Sequence, residues 1–214
     1  MAWRFTGRFA LLACLLSAAC VAAIPAFAQS GPEAKPAPDW VTPPSDLPRQ
    51  DHGPRAPSLD TLFDALKIAP DAESAKAIET RIWGVWMISG SDTCNLLMGR
   101  VKAASDDKDY DLALKLLGAV IAITPKYVEA WNQRATIYYL KDDYAHAIAD
   151  IGKLLTLEPR HFGALSGLGQ MLQEIGDDKD ALEAYRKALT IDPHLEHVPE
   201  LVKTLTDKVE GRDI

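Results

Sequence analysis

The chain has 214 residues, 48% of them apolar and 25% charged, with a formal net charge of −7. That is enough apolar material for a buried core, in one or two domains. The acidic balance, without any basic stripe interleaved with aromatics, argues against nucleic acid and anionic lipid as partners.

Taken in chain order, the first element is a secretory signal peptide over 1–28. Arg4 and Arg8 precede an apolar run from Phe9 to Ile24, and Ala26-Phe27-Ala28 offers a small-x-small cleavage site before Gln29. The run falls short of the ~20 residues a membrane span needs, and Pro25 interrupts its end. Cys14 and Cys20 lie inside it and offer lipoprotein anchoring as an alternative, but the residues before each fit that motif poorly. Cleavage after Ala28 is expected to leave an exported, periplasmic chain with no membrane span. Two arginines and no acid depart, so its charge falls from −7 to −9. Its one cysteine is then Cys94, expected to pack rather than react.

Residues 29–57 carry Pro32, Pro36, Pro38, Pro43, Pro44, Pro48, Pro54 and Pro57 and little to bury, so they read as a disordered, extended linker. Residues 58–93 read as a degenerate helical hairpin, either a first repeat or an N-terminal cap. Ser58 caps a helix with Leu59, Leu62, Phe63 and Leu66 on one face, and Pro70 breaks it. Ala75, Ile78, Ile82, Val85 and Trp86 form the face of the next helix, with Gly90 placed to end it.

From residue 94 a period of 34 residues takes over. Pro125, Pro159 and Pro193 fall in register, as do Ala113, Ala147 and Ala181, and Ile123, Leu157 and Ile191. Such a period marks stacked helix–turn–helix units, here 94–125, 128–159 and 162–193. Asp106-Asp107, Asp142-Asp143 and Asp177-Asp178 recur at the turn inside each unit, where acids cap helices rather than act as paired general acids. In 194–214 the stripe Leu195, Val198, Leu201, Val202, Leu205 and Val209 predicts one closing helix.

These units resemble the tetratricopeptide repeat (TPR) family. The residues that carry the resemblance are Trp131, Ala135, Tyr138, Tyr144, Ala147, Ile151, Leu154 and Pro159 in the middle unit. Leu165, Leu168, Gly169, Ala181, Tyr185 and Ala188 follow in the third, and Leu97, Val101, Tyr110, Ala113 and Leu117 stand in the first. The likeness covers 94–193, close to half the chain. It implies an all-α fold, a right-handed α-solenoid of helix hairpins with a C-terminal capping helix, about nine helices in all. Arg100 and Arg134 depart from the pattern, standing where it often has leucine, and are expected to reach solvent or an acid.

The resemblance also implies that the first helix of each unit lines a concave groove. By register the groove residues are Asn95, Met98, Lys102 and Ser105, then Glu129, Asn132, Thr136 and Tyr139, then Gly163, Ser166, Gln170 and Gln173. The set is polar and suits a peptide or protein partner. Lys102 and Asn132 are the only remnants of the charged set with which some family members grip a terminal carboxylate, too few for that mode.

Other readings are weaker. Segment 160–169 stands out for Gly163, Gly167 and Gly169 in a predicted helix, which implies close helix contact or a partner backbone resting there. A metal-binding or enzyme-accessory role would use Cys94 or His194 and His197, with no third ligand in evidence. Self-association would use the first hairpin through Trp83 and Trp86. No catalytic set and no cofactor motif emerge, and the expected function is a non-catalytic scaffold in cell-envelope assembly or maintenance.

Overall fold

A computed structural model describes residues 58–211, so the stretches read as signal peptide and proline-rich linker lie outside the described residues. Among the described residues there are nine helices and no strand. They are α1 (Leu59–Lys67), α2 (Ala72–Trp86), α3 (Asp92–Asp106), α4 (Tyr110–Ile123), α5 (Val128–Leu140), α6 (Tyr144–Leu157), α7 (Phe162–Glu174), α8 (Asp178–Ile191) and α9 (Val198–Val209). Helices α3/α4, α5/α6 and α7/α8 pair as the three units, forming an all-α solenoid.

The period is written into the turns as well as the core. Lys108, Asp142 and Gly176 take up left-handed backbone at φ 60°, 57° and 86°, one per unit. The next residue, Asp109, Asp143 or Asp177, caps the second helix by accepting an N–H three residues on. Acids do cap these helices, but in the first unit the cap is Asp109 rather than the Asp106-Asp107 pair. Each second helix stops two residues before its proline, because the residue preceding proline is pushed into extended backbone. Ala113, Ala147 and Ala181 are fully buried in register, each followed by buried residues four and seven positions on: Leu117 and Val120, Ile151 and Leu154, Tyr185 and Ala188.

Two positions show what the repeat pattern demands. A Cβ on Gly169 would lie 2.6–2.8 Å from the Tyr185 ring, itself packed on α8 and almost fully buried. Gly169→Ala should therefore destabilise by ~1–2 kcal/mol in urea melts, overpacking outweighing alanine's helix preference. An unchanged or higher midpoint would show that the ring moves freely. The second position is Arg134, which reaches an acid as its departure from leucine required. Its Nε and Nη2 meet Asp150 Oδ2 and Oδ1 at 2.6 and 2.7 Å, a bidentate pair tying α5 to α6.

The first hairpin departs from expectation. Its apolar residues, including Leu62, Phe63, Leu66, Ile82, Trp83 and Trp86, cluster with Phe162, Val128, Ile191 and Leu195, not with the core that α3 and α4 share with α5. So 58–93 does not stack ahead of the array as a preceding unit; it reaches across to the ends of α5, α7 and α8. Helix α2 also stops at Trp86, short of Gly90, which lies in the connection to α3 at φ +71°. At the other end α9 closes the array, setting Val198 and Leu205 against Ala181, Leu182 and Tyr185, while Val209 on the predicted stripe stays exposed.

Candidate partner-binding site

Helix α2 turns a face that holds both tryptophans toward the start of α7. His161 caps α7, its Nδ1 accepting the Ala164 N–H at 3.0 Å. That fixes the proton of the neutral ring on Nε2. Trp86 stacks on this imidazole at 3.9 Å between centroids, and Trp83 meets it edge-on at 5.2 Å. The neighbouring Arg160 donates to Glu158 and to Asp60 of α1 and lies over the Phe63 ring at 4.3 Å. Farther along, Tyr127 donates to the Met87 carbonyl at 3.1 Å, and the His194 ring lies 3.0 Å from the Ala69 carbonyl.

Beneath this aromatic layer the inner face is polar and closed to water. Glu129 is fully buried, accepting from Asn132 and Gln133 at 3.3–3.4 Å, and burial pushes its carboxyl up to about 8. His161 Nε2 points toward it from 3.9 Å, too far for a hydrogen bond, and burial lowers the imidazole to about 3. A second acid pair lies where α2 passes the end of α8. Asp192, also fully buried, accepts the His194 N–H at 2.9 Å, while Glu79 faces it from α2. Burial first, and the Asp192 charge second, raise Glu79 to about 7.

The hairpin leaves part of the inner face open. A cleft of about 250 Å³ runs between α2, α7 and the segment leading into α9. Lys76, Glu79 and Trp83 form one wall; Phe162, Gly163, Ser166 and Gln170 form the other; Leu195, Val198 and Leu201 form the end. The lining thus mixes aromatic and aliphatic side chains with an amide, a hydroxyl and charges of both signs, a composition typical of a binding pocket.

Nine of the residues named from the repeat register divide into three groups. Asn95 and Lys102 are exposed, with Asn95 accepting from Ser89 at 2.6 Å and Lys102 paired to Asp106 at 2.7 Å. Met98, Gln170 and Gln173 are half-buried: Met98 packs on the first-unit core, Gln170 donates to the Tyr139 hydroxyl, and Gln173 accepts from Tyr185. Asn132, Thr136 and Tyr139 are buried, which corrects the expectation that they face an open groove; Ser166 is buried too but reaches the edge of the cleft. Asn132 serves Glu129, Thr136 and Ser166 bond back to their own helix, and Tyr139 donates to Glu174 at 2.5 Å. Of the full set, only Gly163, Ser166 and Gln170 line the cleft. The residues that sequence reasoning missed are Lys76, Glu79 and Leu201. Nothing local marks them, because their role depends on where the hairpin lands.

The other candidates resolve similarly. Cys94 is fully buried, its Sγ 3.2 Å from the Thr124 hydroxyl. Among the described residues no three His, Cys, Asp or Glu converge as metal ligands, and His194 and His197 gain no third. Trp83 and Trp86 are each 4% exposed, so the hairpin does not offer them to a second copy. No described helix is long and apolar enough to cross a membrane.

Comparison with known proteins agrees with this architecture. The tetratricopeptide repeat profile matches residues 128–161 and again 162–195. A TPR repeat-containing protein of Rhizobium etli is 40% identical over 153 residues, spanning 72% of this chain and 75% of its own. The chain belongs to the tetratricopeptide repeat family, whose members are in general non-enzymatic protein-interaction scaffolds. Small glutamine-rich tetratricopeptide repeat-containing protein 2 of Saccharomyces cerevisiae is 30% identical over 89 residues, and the match spans only 26% of that relative. Among solved structures, the first TPR of Spaghetti (RPAP3), bound to the HSP90 peptide SRMEEVD, aligns with a TM-score of 0.53 at 17% identity. The alignment covers 56% of this chain and 95% of that one. A MamA protein structure aligns over 72% of this chain and 82% of its own, with a TM-score of 0.52 at 17% identity.

Proposed function

We propose that this chain is an exported, periplasmic scaffold, without catalysis of its own, that holds a peptide or protein partner on its inner face during cell-envelope assembly or maintenance. The observation that carries the reading is the cleft between α2 and α7. Its apolar lining comes from every side, Trp83 of α2, Phe162 of α7 and Leu201 of α9, beside polar atoms of Ser166 and Gln170 on the helix that the repeat register turns inward. Export rests on the basic, apolar and small-x-small order of Met1–Ala28. A grip on a terminal carboxylate is not part of the proposal, because Asn132 is buried against Glu129 and Lys102 is paired with Asp106.

The test is affinity capture from the envelope fraction with the full chain and with Gln170→Trp, which fills the cleft from a half-buried position. Capture should fall at least tenfold while the melting temperature holds within ~2 °C. Undiminished capture removes the cleft from consideration. The captured bait should begin at Gln29 by mass spectrometry, and a bait that still begins at Met1 removes export.

A further inference from the structure

The array has two ends, and one of them is bare. Within it, Ala130 and Ile137 of α5 join the core of Val101, Ala104, Leu117 and Val120 from the pair before. Ala164 and Met171 of α7 join Ala135, Ala147 and Ile151 in the same way. All four stacking residues are buried, three of them completely. One period earlier, Ala130 and Ile137 become Leu96 and Ala103 of α3. No pair precedes α3, because α1–α2 clusters instead at the ends of α5, α7 and α8. Leu96 is accordingly 63% exposed and Ala103 is exposed. A Cβ on Gly99, between them on the same face, would meet nothing within 4 Å. The surface by which each later unit is stacked is uncovered on the first.

Helix α4 adds a second bare stripe. Leu112, Ala119 and Ile123 fall at i, i+7 and i+11, on one side of the helix, and all three are exposed. One and two periods on, Leu112 becomes His146 and Asp180, and Ala119 becomes Lys153 and Lys187, every one exposed. Apolar residues in places that later units leave to charge mark a contact surface. The other end of the array is different: α9 turns Glu200, Lys203, Thr204 and Asp207 to solvent, so head-to-tail stacking finds no apolar seat. The eight prolines of residues 29–57 predict no helix that could serve as cover. What the α3 face fits is a helix with large apolar side chains. Among the described residues, the exposed stripe of that kind is the one on α4, supplied by another copy.

We propose that the first unit is a self-association surface, through which two copies pair head to head about a two-fold axis. The leucine and isoleucine of α4 in each copy lie on Gly99 and Ala103 of α3 in the other. Large side chains thus meet small ones, and the contact is made twice, as an isologous interface requires. Exposed Arg100 and Lys115 offset exposed Asp92 and Asp107 around it, so the acidic balance of the chain does not repel the two faces. At ~1.5 Å per residue, α3 and α4 are each about 20 Å long. Such a face is small for a stable dimer, and its dissociation constant should be micromolar. No residue lining the cleft between α2 and α7 belongs to α3 or α4, so pairing is independent of what the cleft holds and leaves both clefts open.

The test is sedimentation equilibrium over ~1–100 μM, on the chain purified with the N-terminus the cell leaves on it. Wild type is compared with Ala119→Lys and Leu112→Asp, each of which installs what a later unit carries at that position. The wild type should pass from monomer to dimer and stop there. Each variant should weaken pairing at least tenfold, because the new charge enters the interface twice. Melting temperatures at the dilute end should agree within ~2 °C, since the stripe is exposed in the monomer. A wild type that stays monomeric overturns the inference, and is the result expected if the proline-rich segment or a different protein covers the face. So does association that grows past the dimer, or a dimer that both variants leave intact. A lower dilute melting temperature in both variants overturns it as well, because the stripe would then be core.

Discussion

Between pH 5 and pH 8 the stability of the wild type should fall by about 3–4 kcal/mol relative to Glu129→Gln. The buried Glu129 carboxyl keeps its proton to about pH 8, whereas in the unfolded chain it releases it near 4.5. The folded state thus holds one more proton across that window, and its contribution is complete below pH 4.5 and lost as pH rises toward 8. At about 1.4 kcal/mol per pH unit, three pH units give about 4 kcal/mol as an upper limit, and half-release at pH 8 trims it to the stated difference. Glutamine keeps the shape and a hydrogen-bonding end, so the variant should fold. The other ionisable groups are common to both proteins and cancel in the comparison. His161 acts in the opposite sense: its imidazole stays neutral to about pH 3, so its contribution is lost as pH falls below 6.5. Denaturant melts at half-unit pH steps measure both, and parallel curves for wild type and Glu129→Gln would mean that the carboxyl is charged in the fold.

Arg134→Ala should cost about 2–3 kcal/mol, and Asp150→Ala a similar amount, while Arg134→Leu/Asp150→Leu should cost less than 1 kcal/mol. Asp150 is 6% exposed and takes both its strong hydrogen bonds from the one guanidinium, so removing the arginine strands a buried charge. The pair is partly open to solvent on the arginine side, which holds the cost below that of a fully buried one. Removing both charges also removes the desolvation penalty, and leucine is what the repeat pattern often carries at residue 134. A double-mutant cycle in urea gives the coupling directly. Additive costs in the cycle would show that the two side chains act independently.

The units were legible in the sequence because their determinants are local and steric. Ala147 against α5, Gly169 under Tyr185, and the prolines that end α4, α6 and α8 each act over at most a few tens of residues and recur at one period. The destination of the hairpin was not legible. Asp60 and Arg160 are 100 residues apart, Ala69 and His194 are 125 apart, and no periodicity encodes such a meeting. That single event also undid the reading of the groove. Glu129 and Asn132 are polar at inward positions, which in an open array means contact with water or a partner. Both are instead buried, where Glu129 neighbours the imidazole that Trp86 covers. The segment 160–169 did stand out by its glycines, and Gly169 does serve close helix contact. What the glycines could not reveal was that His161, at the start of the same segment, is the platform for both tryptophans.

The long reach of α1–α2 also sets an order of assembly. Each unit of the array closes on its own neighbours, so those helices can form without waiting for the rest of the chain. The hairpin emerges first, yet its seat at Phe162, Asp192 and His194 is made about a hundred residues later. Until that seat exists, an aromatic face with Trp83 and Trp86 has no cover. Docking is thus expected to come late, because it closes a loop of 100 residues between Asp60 and Arg160. Before docking, the chain presents an unfilled inner face together with the very helix that will fill it.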